Sequence, residues 1–313
     1  MSAHDSELAE KWHKQVEGIW HGCPGVYAHD GQWQGYTQAD RSIFIDADGQ
    51  HLIRVDTKVN CFGSLRARLE TPVHLLRVKH LENKRVYEGP DFFGAGYPYG
   101  TLILGNDYCV PWQTDNRVTV QLPPGEQVQA YSNVAYEGNT LVGVITGLYR
   151  LSRDYETNAD TRSQIARWRE DEITHSKDVH ILPRKTAGVY RGELETYGLD
   201  QKLAGMTKVE WEHTPLTQYR AVQDMKLTGA VNRHVRMERS RHENHHFFED
   251  GLWGNGIGFG RAMFWRGNFK SETTRLIGRD FQLDDGSMAV VWELWRGDQL
   301  EHVMHGVLKF EPR

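Results

Sequence analysis

The chain has 313 residues and a net charge of −5, with 39% apolar and 25% charged residues. That composition suits one large or two ordinary soluble domains with a real core, and it excludes the basic footprint of a nucleic-acid binder. No run reaches the roughly 18 apolar residues of a membrane helix, and the polar N-terminus does not read as a secretory signal.

Three cysteines without a CxxC pair point to a reducing compartment, so a cytoplasmic location is expected. The 34 aromatic residues and 31 glycines fit strands, tight turns and cavities better than a helical bundle.

Residues 5–17 predict a short helix, with Leu8, Trp12 and Val16 on one stripe. A strand entry GIWHG (18–22) follows, then short alternating runs at 41–45, 51–59, 65–70, 73–79, 85–87, 101–104, 117–122, 128–136 and 141–151. Turn signals such as DADG, PPGE and EGN separate them, the pattern of a sandwich or an up-and-down barrel. Residues 158–177 instead space Ile165, Trp168, Glu172 and Ile173 like a helix. A second series then opens with GVYRG (188–192) and repeats short runs to Phe310.

The second series is a copy of the first. EGNTLVGVITGLYRL (137–151) aligns with RGDQLEHVMHGVLKF (296–310) without a gap, at an offset of 296 − 137 = 159. LENKRVYE (81–88) pairs with HENHHFFE (242–249), and FGAGYPYG (93–100) with WGNGIGFG (253–260), at offsets of 161 and 160. The entry strands lie 170 apart. The drift implies extra late residues in the first half or a longer early loop in the second. Three blocks in one order at nearly one offset mark an internal duplication. The expected organisation is therefore residues 1–157, a helical connector 158–183, and residues 184–313.

The G-x-W-x-G entry strand resembles the signature of the calycin superfamily, which includes lipocalins, nitrobindins and phycobiliprotein lyases. The resemblance implies an all-β fold of two tandem lipocalin-like antiparallel β-barrels. It also implies a cation over the entry aromatic, from Arg150 or Arg153 in the first half and Lys309 or Arg313 in the second. Tyr190 replaces the tryptophan in the second copy.

Two motifs have bland readings. His242-Glu243-Asn244-His245-His246 matches the zinc-protease pattern, which requires a helix. Its counterpart Leu81–Arg85 is a turn, so a hairpin tip is expected, with metal binding by His242, His245 and His246 left open. The glycine runs 94–100 and 254–260 lack the strand–helix context of a dinucleotide loop and read as bulges or bends.

The final hairpin is the expected site. A Gly297-Asp298 turn places Glu293 opposite His302 on a face with Trp295 and Met304. A carboxylate beside an imidazole in an apolar lumen suits acid–base chemistry, so Glu293 and His302 are the catalytic candidates. Ligand-binding candidates are Trp295, Met304, His234, Arg236, Trp211, Trp265, Tyr97 and Tyr99. Trp112 is a further aromatic candidate. For His234 and Arg236 a solvent face is the simpler reading, and for the other tryptophans and tyrosines core packing is.

The expected function is capture of a small apolar or aromatic molecule in the second barrel, converted without a cofactor as an isomerase, cyclase or lyase would. The alternatives are a non-catalytic carrier of a hydrophobic ligand or pigment and, after the nitrobindin resemblance, a haem protein with His302 as axial ligand. No nucleic-acid or membrane partner is expected, and exposed strand edges leave a homodimer open.

Overall fold

The computed structural model describes residues 14–70, 73–81, 83–124, 127–178 and 186–313. The chain divides into two units, Met1–Lys177 and Asp178–Arg313. The helix expected over 5–17 lies mostly outside the described residues, although Lys14–Val16 are helical.

The first unit comprises β1 (Gly18–Gly22), β2 (Gly25–Tyr27), β3 (Trp33–Ile45), β4 (His51–Cys61), α1 (Arg66–Leu69), β5 (Val73–Leu81), β6 (Lys84–Gly89), β7 (Phe92–Tyr99), β8 (Leu102–Cys109), β9 (Thr114–Gln121), β10 (Val128–Glu137), β11 (Thr140–Ser152) and α2 (Ala159–Lys177). From β2 onward each strand pairs antiparallel with the next, and β1 and β2 both pair with β3 and β11, which closes the barrel. β1 and β2 are thus one strand cut at Cys23-Pro24. Proline has no N–H to give to the ladder and marks the break.

The second unit comprises β12 (Gly188–Tyr197), β13 (Leu203–Pro215), β14 (Arg220–Gly229), β15 (Arg233–His242), β16 (His245–Asp250), β17 (Leu252–Phe259), β18 (Ala262–Phe269), β19 (Thr274–Gln282), β20 (Ser287–Arg296) and β21 (Gln299–Pro312). These ten strands form a second closed meander. The chain is all-β, with two ten-stranded antiparallel barrels in tandem. Among the described residues no helix is long and apolar enough to cross a membrane.

Corresponding strands confirm the duplication and locate its drift. Arg41 faces Val55 as Trp211 faces Met225, an offset of 170. Val55 faces His74 as Met225 faces Val235, so on the next strand the offset is 235 − 74 = 161. The extra residues therefore lie early in the first copy, in the connection 62–72 that carries α1, where the second copy has only 230–232. Gly138 and Gly297, also 159 apart, make the same turn at φ 58° and 56°, a conformation that glycine adopts without strain.

The glycine-rich segments are corrected. They are the unbroken strands β7 and β17, not bends. Glycine is required there because strands approach closely: a Cβ at Gly94 would collide with that of Asp107. The histidine-rich segment is a hairpin tip as expected, with His242 facing His245 across the β15–β16 turn.

α2 belongs to the first unit and packs on the outside of its barrel. Asn158 caps it, its Oδ1 accepting from the Asp160 amide at 3.0 Å. The face it buries is Ile165, Arg169, Glu172 and Ser176, largely polar, which is why its sequence reads as charged all round. Arg169 reaches Asp40, which also bonds His21 Nδ1 at 2.6 Å. Burial alone would raise the Asp40 carboxyl, but the His21 hydrogen bond and Arg169 together hold it below its ordinary range.

Candidate functional site

The structure does not bring Glu293 and His302 together. The Gly297-Asp298 turn is as expected and Trp295 faces Leu300, but a bulge between Leu294 and Trp295 shifts the ladder by one residue. Glu293 then faces Val303, and Leu294 faces His302. A slip of one residue inverts a strand's faces. On β20 the inward residues are Met288, Val290, Trp292 and Leu294, all in the barrel core. Glu293 points outward, paired with Arg279, and accepts from Trp295 Nε1 at 3.2 Å. Trp295 is outside too, under the Arg275 guanidinium. His302 faces inward beside Leu294, while Met304 is fully buried in the core.

The other expected residues divide similarly. His234 is exposed and bonds Asp224 at 2.7 Å, and Arg236 is exposed, so that face of β15 is a solvent face. Trp211 and Trp265 are core. Tyr97 points to solvent, whereas Tyr99 is buried. The implied cations over the entry aromatics are absent as well. Arg150 and Lys309 are exposed, Arg153 reaches the Lys14 carbonyl, and Arg313 pairs with Glu212. Trp20 instead donates to the Val16 carbonyl at 2.8 Å, and Tyr190 packs on Trp211 and Phe310.

Three tryptophans meet in the core of the second barrel. Trp292 meets Trp211 and Trp265 edge-on, with ring centroids 6.0 and 6.1 Å away. Asp280 ties two of the rings together, accepting from Trp265 Nε1 at 2.8 Å and Trp292 Nε1 at 2.9 Å. Its burial pushes the carboxyl up to about 6 against those bonds and the field of Arg239.

Register places Arg41, Gly105 and Asn133 of the first barrel where the second has Trp211, Trp265 and Trp292. The exchange is paired across strands. Trp265 faces Gly278, which leaves room for the indole, whereas Gly105 faces Val118. What three indoles fill in one copy is a cavity of about 190 Å³ in the other, walled mainly by apolar side chains such as Ile53, Leu76, Ile103 and Val120.

Arg41 stands in the middle of this lumen. Its guanidinium lies 3.9 Å from the ring centre of Tyr149 and 4.5 Å from that of Tyr131, and Nη1 donates to Gln129 Oε1 at 2.9 Å. Nη2 is buried without a hydrogen-bond partner among the described residues. Beyond it a smaller chamber of about 80 Å³ continues toward Val16, Arg85 and Leu122.

α1 covers the opposite end. Leu65 and Leu69 pack with Val26, Cys61 and Ile145, and Leu69 reaches the cavity wall. Where the second barrel has His302 the first has Gly143, which makes room for Leu65. Asp107, His74 and Trp112 line this end. Burial pushes the Asp107 carboxyl up to about 7, despite the bond that it accepts from Asn116 Nδ2 at 2.8 Å. Burial holds the His74 imidazole below its ordinary value, favouring the neutral ring. Trp112 Nε1 and Asn133 Oδ1, both on the cavity wall, are also without hydrogen-bond partners among the described residues.

Of the residues singled out from the sequence, only Trp112 lies on this wall. Arg41, Asp107, Asn133 and the flanking tyrosines were missed. The signal was present in the duplication: polar or small residues at inward positions of one copy oppose tryptophans in the other.

No family model matches the chain, and neither does any curated protein sequence. Among solved structures, a protein of unknown function from the DUF3598 family of Nostoc punctiforme aligns with a TM-score of 0.52 at 9% identity, over 96% of this chain and 97% of that one. This likeness shows a shared fold alone. A putative outer membrane protein from Bacteroides fragilis aligns over 95% of this chain and 98% of that one, at 7% identity and a TM-score of 0.24, too slight to argue from.

Proposed function

We propose that the chain binds a small, largely apolar or aromatic molecule in the lumen of its first barrel, the second barrel serving as a packed structural copy. One observation carries this reading: tryptophans close the second lumen, and Arg41, Gly105 and Asn133 leave the first open at matching positions. Barrels of this size can hold one small ligand. Kinship with the calycins is supported by the closed meanders and the Gly18-Ile19-Trp20 entry.

The test is calorimetric titration with indole. Saturable binding is expected for the natural protein. It is expected to be lost in the double variant Gly105→Trp with Val118→Gly, which copies the Trp265/Gly278 pair. Equal binding by both proteins, or none by the natural one at millimolar indole, would overturn the reading.

A second reading, acid–base conversion of the bound molecule, moves from Glu293 and His302 to Asp107. Its carboxyl lines the lumen and titrates near neutrality, as a general acid or base must. Products formed from a mixture of small aromatic compounds by the natural protein and not by Asp107→Asn, read by mass spectrometry, would support conversion. Identical product profiles would leave binding alone.

A further inference from the structure

Arg41 is a half-buried cation whose Nη2 atom is fully enclosed. Its chain neighbour Asp40 faces the other way, outward, and is engaged by His21 and Arg169. No carboxylate of the described residues pairs with Arg41. Its contacts are one amide oxygen and two ring faces, with the Tyr149 hydroxyl close enough to feel its charge. A guanidinium has five N–H donors, and a charged group away from water is costly unless paired and hydrogen-bonded. Ring faces supply about 0.5–2 kcal/mol and accept no conventional hydrogen bond. The donor left over, Nη2, is the atom to which an anion would complete the set.

We infer that the ligand of this lumen is a monocarboxylate with a ring-sized apolar body, its carboxylate on Arg41 and its body against the wall between Arg41 and α1. This rests on the binding reading above. Three observations narrow the class. First, Gln129 and the two tyrosines fix the guanidinium and leave one edge free, which suits one compact anion. Second, the space is small. An apolar cavity of about 150 Å³ accommodates benzene, so about 190 Å³ fits a single ring with a short acid arm better than a long-chain lipid. Third, the far end carries Asp107 and the unpartnered Trp112 Nε1. A carboxylate there would meet another carboxyl, whereas at Arg41 it meets only a cation.

The experiment compares phenylacetate with 2-phenylethanol, nearly the same shape without the charge, by calorimetry on the full chain. The expected result is at least about tenfold tighter binding of the acid, as a charge-assisted hydrogen bond provides. Arg41→Met is expected to erase the difference and leave the alcohol bound, and Arg41→Lys to restore part of it. Circular dichroism checks that each variant folds, and the acid-to-alcohol ratio in the natural protein tests the inference without any variant. Equal binding of acid and alcohol, both lost in the Gly105→Trp/Val118→Gly protein, would overturn the carboxylate and keep the lumen. Acid binding that survives that double variant, or no binding of either compound, would overturn both.

Discussion

Trp292 occupies in the second barrel the position that Asn133 occupies in the first, Trp292 facing Met304 and Asn133 facing Ile145 at the same offset of 159. The indole touches two other tryptophans and donates to Asp280, so Trp292→Asn empties the centre of that core and removes one of the two bonds holding a buried carboxylate. The expected cost is about 3–5 kcal/mol, as for other large core truncations. Urea unfolding followed by circular dichroism measures it, and a loss below about 1 kcal/mol would refute this account of the second core.

Asp107 predicts a pH dependence. Its folded pKa of about 7 lies above that of an unfolded aspartate. The folded state therefore holds the proton more tightly, and stability falls as pH rises from about 4 to about 7, then levels off. Asp107→Asn removes the ionisation. The variant is expected to match the natural protein near pH 4 and to exceed it at pH 8 by on the order of 4 kcal/mol. Parallel stability curves across that range would count against a buried, titrating Asp107.

The cysteines are expected to be inert. Cys23, Cys61 and Cys109 are buried and unbridged, and burial pushes the thiols of Cys23 and Cys109 up to about 12 and 11. Thiolates carry the reactivity of cysteine. Iodoacetamide at pH 8 should modify none of them in the folded protein and all three in urea, as read by intact mass.

Glu293→Gln should separate stability from binding. Its carboxylate lies outside the lumen against Arg279, and neutralising it leaves that guanidinium without its counter-charge. A loss of about 1–3 kcal/mol is expected, with indole affinity unchanged. A large loss of affinity would return the final hairpin to the site.

Much of the fold could be read from residue order, because alternation, turn residues and a repeated block are local signals. The Gly297-Asp298 turn, the histidine hairpin and the duplication all came from such signals. The bulge at the start of β21 did not. One extra residue after the turn, Glu301, cannot be seen in the spacing of apolar residues on strands where Val291 and Trp292 are equally apolar. That single error placed Glu293 inside, and so hid the comparison of Trp292 with Asn133 that distinguishes the two lumens. α1 was equally hidden, since Leu65–Glu70 alternates well enough to pass for a strand.

The cavity of the first barrel also sets how the copies should respond to heat. At about 24 cal/mol per Å³, 190 Å³ of forgone packing corresponds to about 4–5 kcal/mol. In the second copy three indoles meet in the corresponding space. The domain with the hole is thus the thermolabile partner of an intrinsically robust one, and its melting temperature would report occupancy: a guest that enters the lumen stiffens one half of the chain and leaves the other half as an internal standard.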